Sequence, residues 1–415
     1  MIKRELYLNE IEPFIDKHFI KVLTGVRRCG KSTILEQIIQ HLKNKGVKDE
    51  NIILINFELD DYFNIRTSAK LSKYINKIVK DNNERKYLFL DEVQKVEGWE
   101  ELVNSYLAKD RFDIYITGSN AKLLSGELAT YLSGRYVEIK IYPFSFKEFL
   151  QYKKLEENKQ LKNKQSENNK SEKNYTDLFY QYLKYGAMPS TLGFDDKEKI
   201  KIFRDLYNSI ILKDVVWRNE VRDIDLLDRI ARFILMNVGQ LFSAKNIANY
   251  LKKEKVNVST KTIYNYLSYL EAACLINKVR REDLIGKKLL NYIEKFYVVD
   301  LGFRQLIYGH NERDIGQSLE NIVYNELLRR GYDITIGKFK ASEIDFVCKK
   351  QKQIVYIQVT YILAEESTIK REFEPLTKID DNYPKYVFSM DEIDRSQDGI
   401  KHVNIIDFLK EEIIL

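Results

Sequence analysis

The first third of this 415-residue sequence predicts an α/β fold built on a parallel sheet. Three observations carry that expectation. Five short apolar runs alternate with amphipathic helical stretches. The nonapeptide GVRRCGKST sits between the first run and the first helix. The third run ends in two adjacent acids. Strand and helix in alternation give parallel strands with helices on both faces.

The runs between residues 19 and 142 are FIKVLT, NIILINF, KYLFLDE, FDIYIT and YVEIKIY, separated by patterns such as STILEQIIQHLKNK and WEELVNSYLAKD. Residues 1–150 are therefore expected to form one core. Residues 151–174 are almost wholly Lys, Glu, Asn and Gln. They hold too little apolar surface to pack, which predicts a flexible insertion or a solvated helix extension. Helical periodicity returns over 175–230, broken at YGAMPS, and predicts a helical lid.

Composition narrows the class. No apolar run is long enough to span a bilayer, and the first residues are charged with no signal-peptide core, so a cytoplasmic protein is expected. Cys29, Cys274 and Cys348 are isolated, which leaves neither a disulfide framework nor a CxxC zinc site. His18, His41, His310 and His402 are scattered. The net charge of +6 is unevenly placed. Residues 228–310 hold 14 Lys plus Arg against 7 Asp plus Glu, which is +7 and leaves −1 for the remainder. Such a local excess predicts a nucleic-acid surface there, with chance clustering as the bland alternative.

GVRRCGKST, Gly25 to Thr33, fits the phosphate-binding pattern G-x-x-x-x-G-K-[ST]. Gly25 and Gly30 permit the tight turn that points backbone N–H groups at phosphates, so Val26, Arg27, Arg28, Cys29 and Thr33 are counted with the site. Lys31 reaches the β and γ phosphates, the Ser32 hydroxyl ligates Mg²⁺, and the helix adds its positive end. In YLFLDE, Asp91 is expected to hold Mg²⁺ through its water shell. Glu92 is expected to orient and deprotonate the attacking water. The next strand ends in TGSN, where Ser119 or Asn120 either senses the γ-phosphate or makes an ordinary turn. Arg135 in SGRY precedes the fifth strand. It is either an arginine finger for a neighbouring subunit of a homo-oligomer or a surface ion pair. Cys29 reads as a small residue that fits the loop.

Together GVRRCGKST, FLDE, TGSN, SGRY and PFSFKEF resemble the AAA+-type ATPase domain of a widespread bacterial and archaeal family, in which it is fused to a C-terminal domain of unknown function. The resemblance covers nearly the whole chain. It implies ATP binding and hydrolysis and suggests association with DNA.

Phe242 to Val279 has the pattern of a winged helix-turn-helix, expected over 231–310. One helix carries Ile247, Ala248 and Leu251. A second, capped by Ser259 or Thr260, carries Ile263, Leu267 and Leu270. Lys261, Tyr264 and Asn265 would lie on its exposed face near the end that meets base edges. LINKVRRED and KFYVVD are the expected wing strands. Lys252, Lys253, Lys255, Arg280, Arg281, Lys287 and Lys288 are expected at phosphates.

Over 311–415 the order helix, three strands, helix, strand resembles the PD-(D/E)XK nuclease-like core. That resemblance gives Glu320 and Asp345 the places of two metal-ligating acids. The next acid and the lysine fall on Gln358 and Thr360, where the pattern is lost. A degenerate domain that does not cut is expected, with Lys338 and Lys340 the nearest replacement cations by sequence. The whole reads as an Mg²⁺-dependent ATPase driving a conformational or assembly switch on DNA, with ATP and Mg²⁺ as cofactors. The rivals are an ATP-regulated nuclease and a signalling or scaffold ATPase whose winged helix and C-terminal domain bind protein partners.

Overall fold

The structure is a computed structural model that describes residues 2–79, 84–118, 134–163, 175–286, 288–309, 311, 314–340 and 342–411. The chain gathers into two compact units. One is Met1–Tyr142 with Ala272–Cys274, the other Pro143–Glu271 with Leu275–Leu415.

In the first unit all five expected strands form: β1 Ile20–Thr24, β2 Ile52–Asn56, β3 Lys86–Asp91, β4 Phe112–Thr117 and β5 Tyr136–Lys140. They pair in the order β2-β3-β4-β1-β5, and every pair is parallel. β1, β3 and β4 are buried along their whole length, which is why they read as continuous apolar runs rather than alternating ones. Val22, Leu88, Leu90, Ile114 and Ile116 join Leu71 and Val103 of the helices Ser68–Ile78 and Trp99–Ala108 in one core. Lys21 is the exception inside β1. Its buried ammonium pairs with buried Asp113 and lies 4.4 Å from the centre of the Tyr115 ring. Burial pushes the Lys21 ammonium down, and the Asp113 charge opposes that shift.

In the second unit the polar stretch begins as a continuation of the helix Phe146–Asn163; its remainder, 164–174, lies outside the described residues. The break at YGAMPS has a specific cause. Gly186 sits at φ +62, and a Cβ there would come within 2.0 Å of Asp300 Oδ1. Asp300 is buried and accepts from the N–H groups of Ala187 and Gly302, both at 2.8 Å. Burial raises its carboxyl to about 6, and those N–H groups oppose the shift.

The helices Ala244–Lys253 and Thr260–Ala272 form where expected, burying Ile247, Leu251, Ile263, Leu267 and Leu270. Ser259 Oγ accepts from Thr262 N at 3.0 Å and so caps the second helix. β6 Ile276–Asp283 and β7 Lys288–Val298 form the expected hairpin. The sheet does not stop at residue 310, where a boundary between domains is expected. With β8 Asp333–Phe339, β9 Ser342–Lys350, β10 Gln353–Val359, β11 Lys385–Ser389 and β12 Lys401–Asn404, the hairpin completes one seven-stranded sheet in the order β12-β11-β10-β9-β8-β6-β7. Register shifts at Arg280/Arg281 and at Thr335/Gly337 bend it. At Gly337 a Cβ would meet Ile344 Cβ at 2.9 Å, so the bend needs a residue without a side chain.

Candidate functional site

The GVRRCGKST loop leaves the C-terminal end of β1 and enters the helix Lys31–Asn44. Gly25 has φ +141, and a Cβ there would come within 2.2 Å of Ile141 O. Gly30 has φ +103 and Arg28 φ +63, so the loop turns through two further left-handed positions before the helix. Lys31 is 5% exposed, and its ammonium donates to the carbonyls of Gly25 at 3.0 Å and Val26 at 3.2 Å. It therefore lies over the loop it serves. Ser32 is exposed and Thr33 half-buried. Cys29 is buried, and burial pushes its thiol up, away from the reactive thiolate.

Asp91 ends β3 and is 2% exposed; its Oδ1 accepts from the Thr117 hydroxyl. Thr117 ends β4, and its Oγ1 also accepts from Glu92 N at 2.9 Å. Glu92 adopts the left-handed conformation at φ +57, ψ +47, unusual for a residue with a side chain and characteristic of functional positions. The Gln94 amide donates to its carboxylate. The loop, Asp91, Glu92 and Thr117 thus stand at the C-terminal ends of three adjoining parallel strands, where open α/β sheets bind ligands.

The other expected residues lie differently. Ser119 and Asn120 fall outside the described residues. Arg135 is exposed, and its guanidinium donates to Asn104 Oδ1. Ile20 pairs with Tyr136, so Arg135 is at the end of β1 opposite the loop. It is out of reach of this chain's own loop.

Sequence reasoning missed two residues of this unit. Thr117 had only its place before GSN to mark it. Arg4 is 1% exposed, and its Nη1 donates to Cys29 O at 3.2 Å and Tyr142 O at 2.9 Å, bracing the loop from beneath.

The second unit holds a separate cluster. Glu320 on the helix Ile315–Arg329 and Asp345 on β9 come together as expected, Gln358 joins them, and Thr360 is buried with its N–H donating to Phe388 O. Neither Lys338 nor Lys340 supplies the cation. Lys295 of β7 does, with Nζ at 2.8 Å from Glu320 Oε1, 3.0 Å from Glu343 Oε1 and 3.5 Å from Asp345 Oδ1. The Tyr297 hydroxyl donates to the same Glu320 oxygen. Burial raises the Glu320 and Asp345 carboxyls, and Lys295 opposes both shifts. Burial alone would lower the Lys295 ammonium, but the charges of Glu320, Asp345 and Glu343 outweigh it and raise the ammonium instead. Gln358 Oε1 accepts from Asp345 N at 2.7 Å, and Asp345 Oδ2 accepts from Val359 N at 2.9 Å. A cavity of about 410 Å³ opens beside the cluster.

No helix among the described residues is long and apolar enough to cross a membrane. Residues 17–150 match the family model of an AAA domain, and residues 176–314 match a domain of unknown function (DUF8612). An uncharacterized protein of Haemophilus influenzae is 40% identical over 410 residues, covering 99% of this chain and 98% of that protein. An uncharacterized protein of Methanocaldococcus jannaschii is 34% identical over 419 residues, covering 99% and 90%. Among solved structures, the Walker-type ATPase of Pyrococcus abyssi aligns with 74% of this chain and 96% of its own, at 15% identity and a TM-score of 0.48. The chain carries an AAA-type P-loop ATPase domain, and it belongs to one family with these bacterial and archaeal relatives.

Proposed function

We propose that this chain is an Mg²⁺-dependent ATPase whose hydrolysis cycle drives a conformational or assembly switch on DNA. The reading rests on one observation above others. A buried lysine over a phosphate-binding loop, a buried aspartate and a glutamate in a left-handed turn stand together at three adjoining strand ends. Lys31 exchanges the Gly25 and Val26 carbonyls for β- and γ-phosphate oxygens. The backbone N–H groups of residues 26–33 surround the phosphates. Ser32 and Asp91 would hold Mg²⁺, which when bound neutralises phosphate charge. An all-oxygen donor pair, with the Asp91 carboxylate fixed by Thr117, suits that hard cation. Glu92 takes the proton of the attacking water, and Arg135 serves the site of a neighbouring subunit.

The DNA part of the proposal draws on residues 244–272, read as the helices of a winged helix-turn-helix within 231–310. Lys245, Lys252, Lys253, Lys255 and Lys261 are exposed there. Residues 175–230 are read as the lid and 311–415 as a nuclease-like domain that does not cut.

Lys31→Ala and Glu92→Gln separate the steps. The first is expected to lose ATP affinity and turnover together. The second keeps affinity and loses turnover, because it removes the base and leaves the cradle. Normal hydrolysis by Glu92→Gln would remove the role given to Glu92.

A further inference from the structure

The resemblance of residues 311–415 to metal-dependent nucleases implies a divalent cation between Glu320 and Asp345. The residues present do not fit one. The oxygens that would surround it, Glu320 Oε1, Glu343 Oε1 and Asp345 Oδ1, already converge on the Lys295 ammonium at 2.8–3.5 Å. The other oxygen of Asp345 is taken by Val359 N, and the Gln358 carbonyl oxygen is turned onto Asp345 N rather than into the cavity. Among the described residues no group of His, Cys, Asp or Glu is arranged to hold a metal ion.

We infer that the Lys295 ammonium is the resident cation of this pocket and occupies the position a divalent ion would need. Two facts beyond proximity support this. Lys295 is 4% exposed, so its charge is withdrawn from water and is compensated by these carboxylates. It also arrives from a distant strand. β7 and β9 are three strand steps apart in the sheet order, about 14 Å if the sheet were flat. Two register shifts lie between those strands, and Lys295 nonetheless reaches Glu343 and Asp345. Magnesium or manganese requires oxygens at roughly 2.1 Å, and its charge would stand against the ammonium within the same ring of oxygens. With Lys295 where it stands, the ion and the ammonium compete for the same three oxygens. A pocket held this way lacks the metal-activated water on which phosphodiester cleavage of this type depends. The inference stands apart from the ATPase reading, since it concerns only residues of the second unit.

The test is Mn²⁺ binding, followed by the loss of the free-ion electron paramagnetic resonance signal. It uses nucleotide-free full-length protein in an Asp91→Asn background, so that the nucleotide site contributes nothing. The parent protein is expected to bind no Mn²⁺ that Glu320→Gln removes. Lys295→Met is expected to gain one Mn²⁺ per chain, at least tenfold tighter than any binding by the parent. Lys295→Met/Glu320→Gln is expected to lose it again. Mn²⁺ bound by the parent and lost in Glu320→Gln would overturn the inference, as would a folded Lys295→Met with no gain. If Lys295→Met does not fold, the parent and Glu320→Gln comparison decides alone, because a metal-binding parent pocket is incompatible with a resident ammonium.

Discussion

Replacing Arg4 by methionine probes how far the phosphate-binding loop depends on a residue outside its motif. Methionine keeps the length of the stem, so packing changes little and the loss is mainly of the charged head. Nη1 of that head donates to Cys29 O at 3.2 Å and Tyr142 O at 2.9 Å, Nη2 donates to the Tyr7 hydroxyl at 3.4 Å, and the guanidinium lies 4.6 Å from the Tyr7 ring centre. Hydrogen bonds to a charged group are worth about 1.5–3 kcal/mol each. The two to Cys29 O and Tyr142 O give roughly 3–6 kcal/mol. Relief of the desolvated charge returns part of that, leaving a net loss of about 2–4 kcal/mol. Urea unfolding of Arg4→Met should show this loss as a lowered midpoint. Titration with a fluorescent ATP analogue should show weaker binding, since Cys29 belongs to the loop itself. About 1.4 kcal/mol of the loss expressed in the loop would raise Kd tenfold. An unchanged midpoint with an unchanged Kd would refute the brace. A lowered midpoint with unchanged affinity would confine Arg4 to supporting the unit.

Asp300, with its carboxyl raised from 3.8 to about 6, binds its proton more tightly folded than unfolded. Its contribution is therefore complete below about pH 4 and lost as pH rises through 6. Relative to Asp300→Asn, the parent should lose about 2–2.5 kcal/mol of stability between about pH 4 and 7; a pH-independent difference in thermal unfolding would contradict the burial argument. Lys252, Lys253 and Lys255 changed together to Ala should weaken DNA binding without regard to sequence, and lower the slope of log K against log salt by up to about 0.9 for each phosphate no longer neutralised. An unchanged slope would take these lysines out of any DNA interface. Arg135→Ala mixed with Glu92→Gln should regain part of the ATPase activity, because some interfaces would combine an intact arginine with an intact base. No recovery in assemblies shown to form would count against a role across subunits.

The nucleotide site is legible in the sequence because its chemistry is contiguous. Nine neighbouring residues supply the loop, and a strand ending in Asp91 and Glu92 supplies the acids. Its supports are not legible. Arg4 meets a carbonyl 138 positions away, and no local pattern marks that meeting. The basic segment shows a related limit. A count of +7 treats each lysine and arginine as surface charge, whereas Arg229, Arg232, Lys278, Arg281, Lys295 and Arg304 are engaged in ion pairs. Lys295 is the first residue of KFYVVD, and in the sequence it is indistinguishable from any other lysine of a wing strand. Only long-range strand pairing, which no local pattern reveals, makes it the cation beside Glu320 and Asp345. Most helices and strands of both units are readable from periodicity, though β12 and the helices Leu301–Tyr308 and Ile405–Leu409 are not. What the sequence withholds is that the hairpin and the C-terminal strands share one hydrogen-bonded ladder.

That shared ladder makes the second unit a single mechanical piece. A pull on the β6–β7 hairpin, whatever applies it, is transmitted along backbone hydrogen bonds to β8 and β9 rather than absorbed by a linker. Among the described residues the ladder is interrupted only by the register shifts at Arg280/Arg281 and Thr335/Gly337. Lys295, on the hairpin, and Glu343 and Asp345, on β9, therefore belong to one hydrogen-bonded sheet, and the ion pairs between them lie across it.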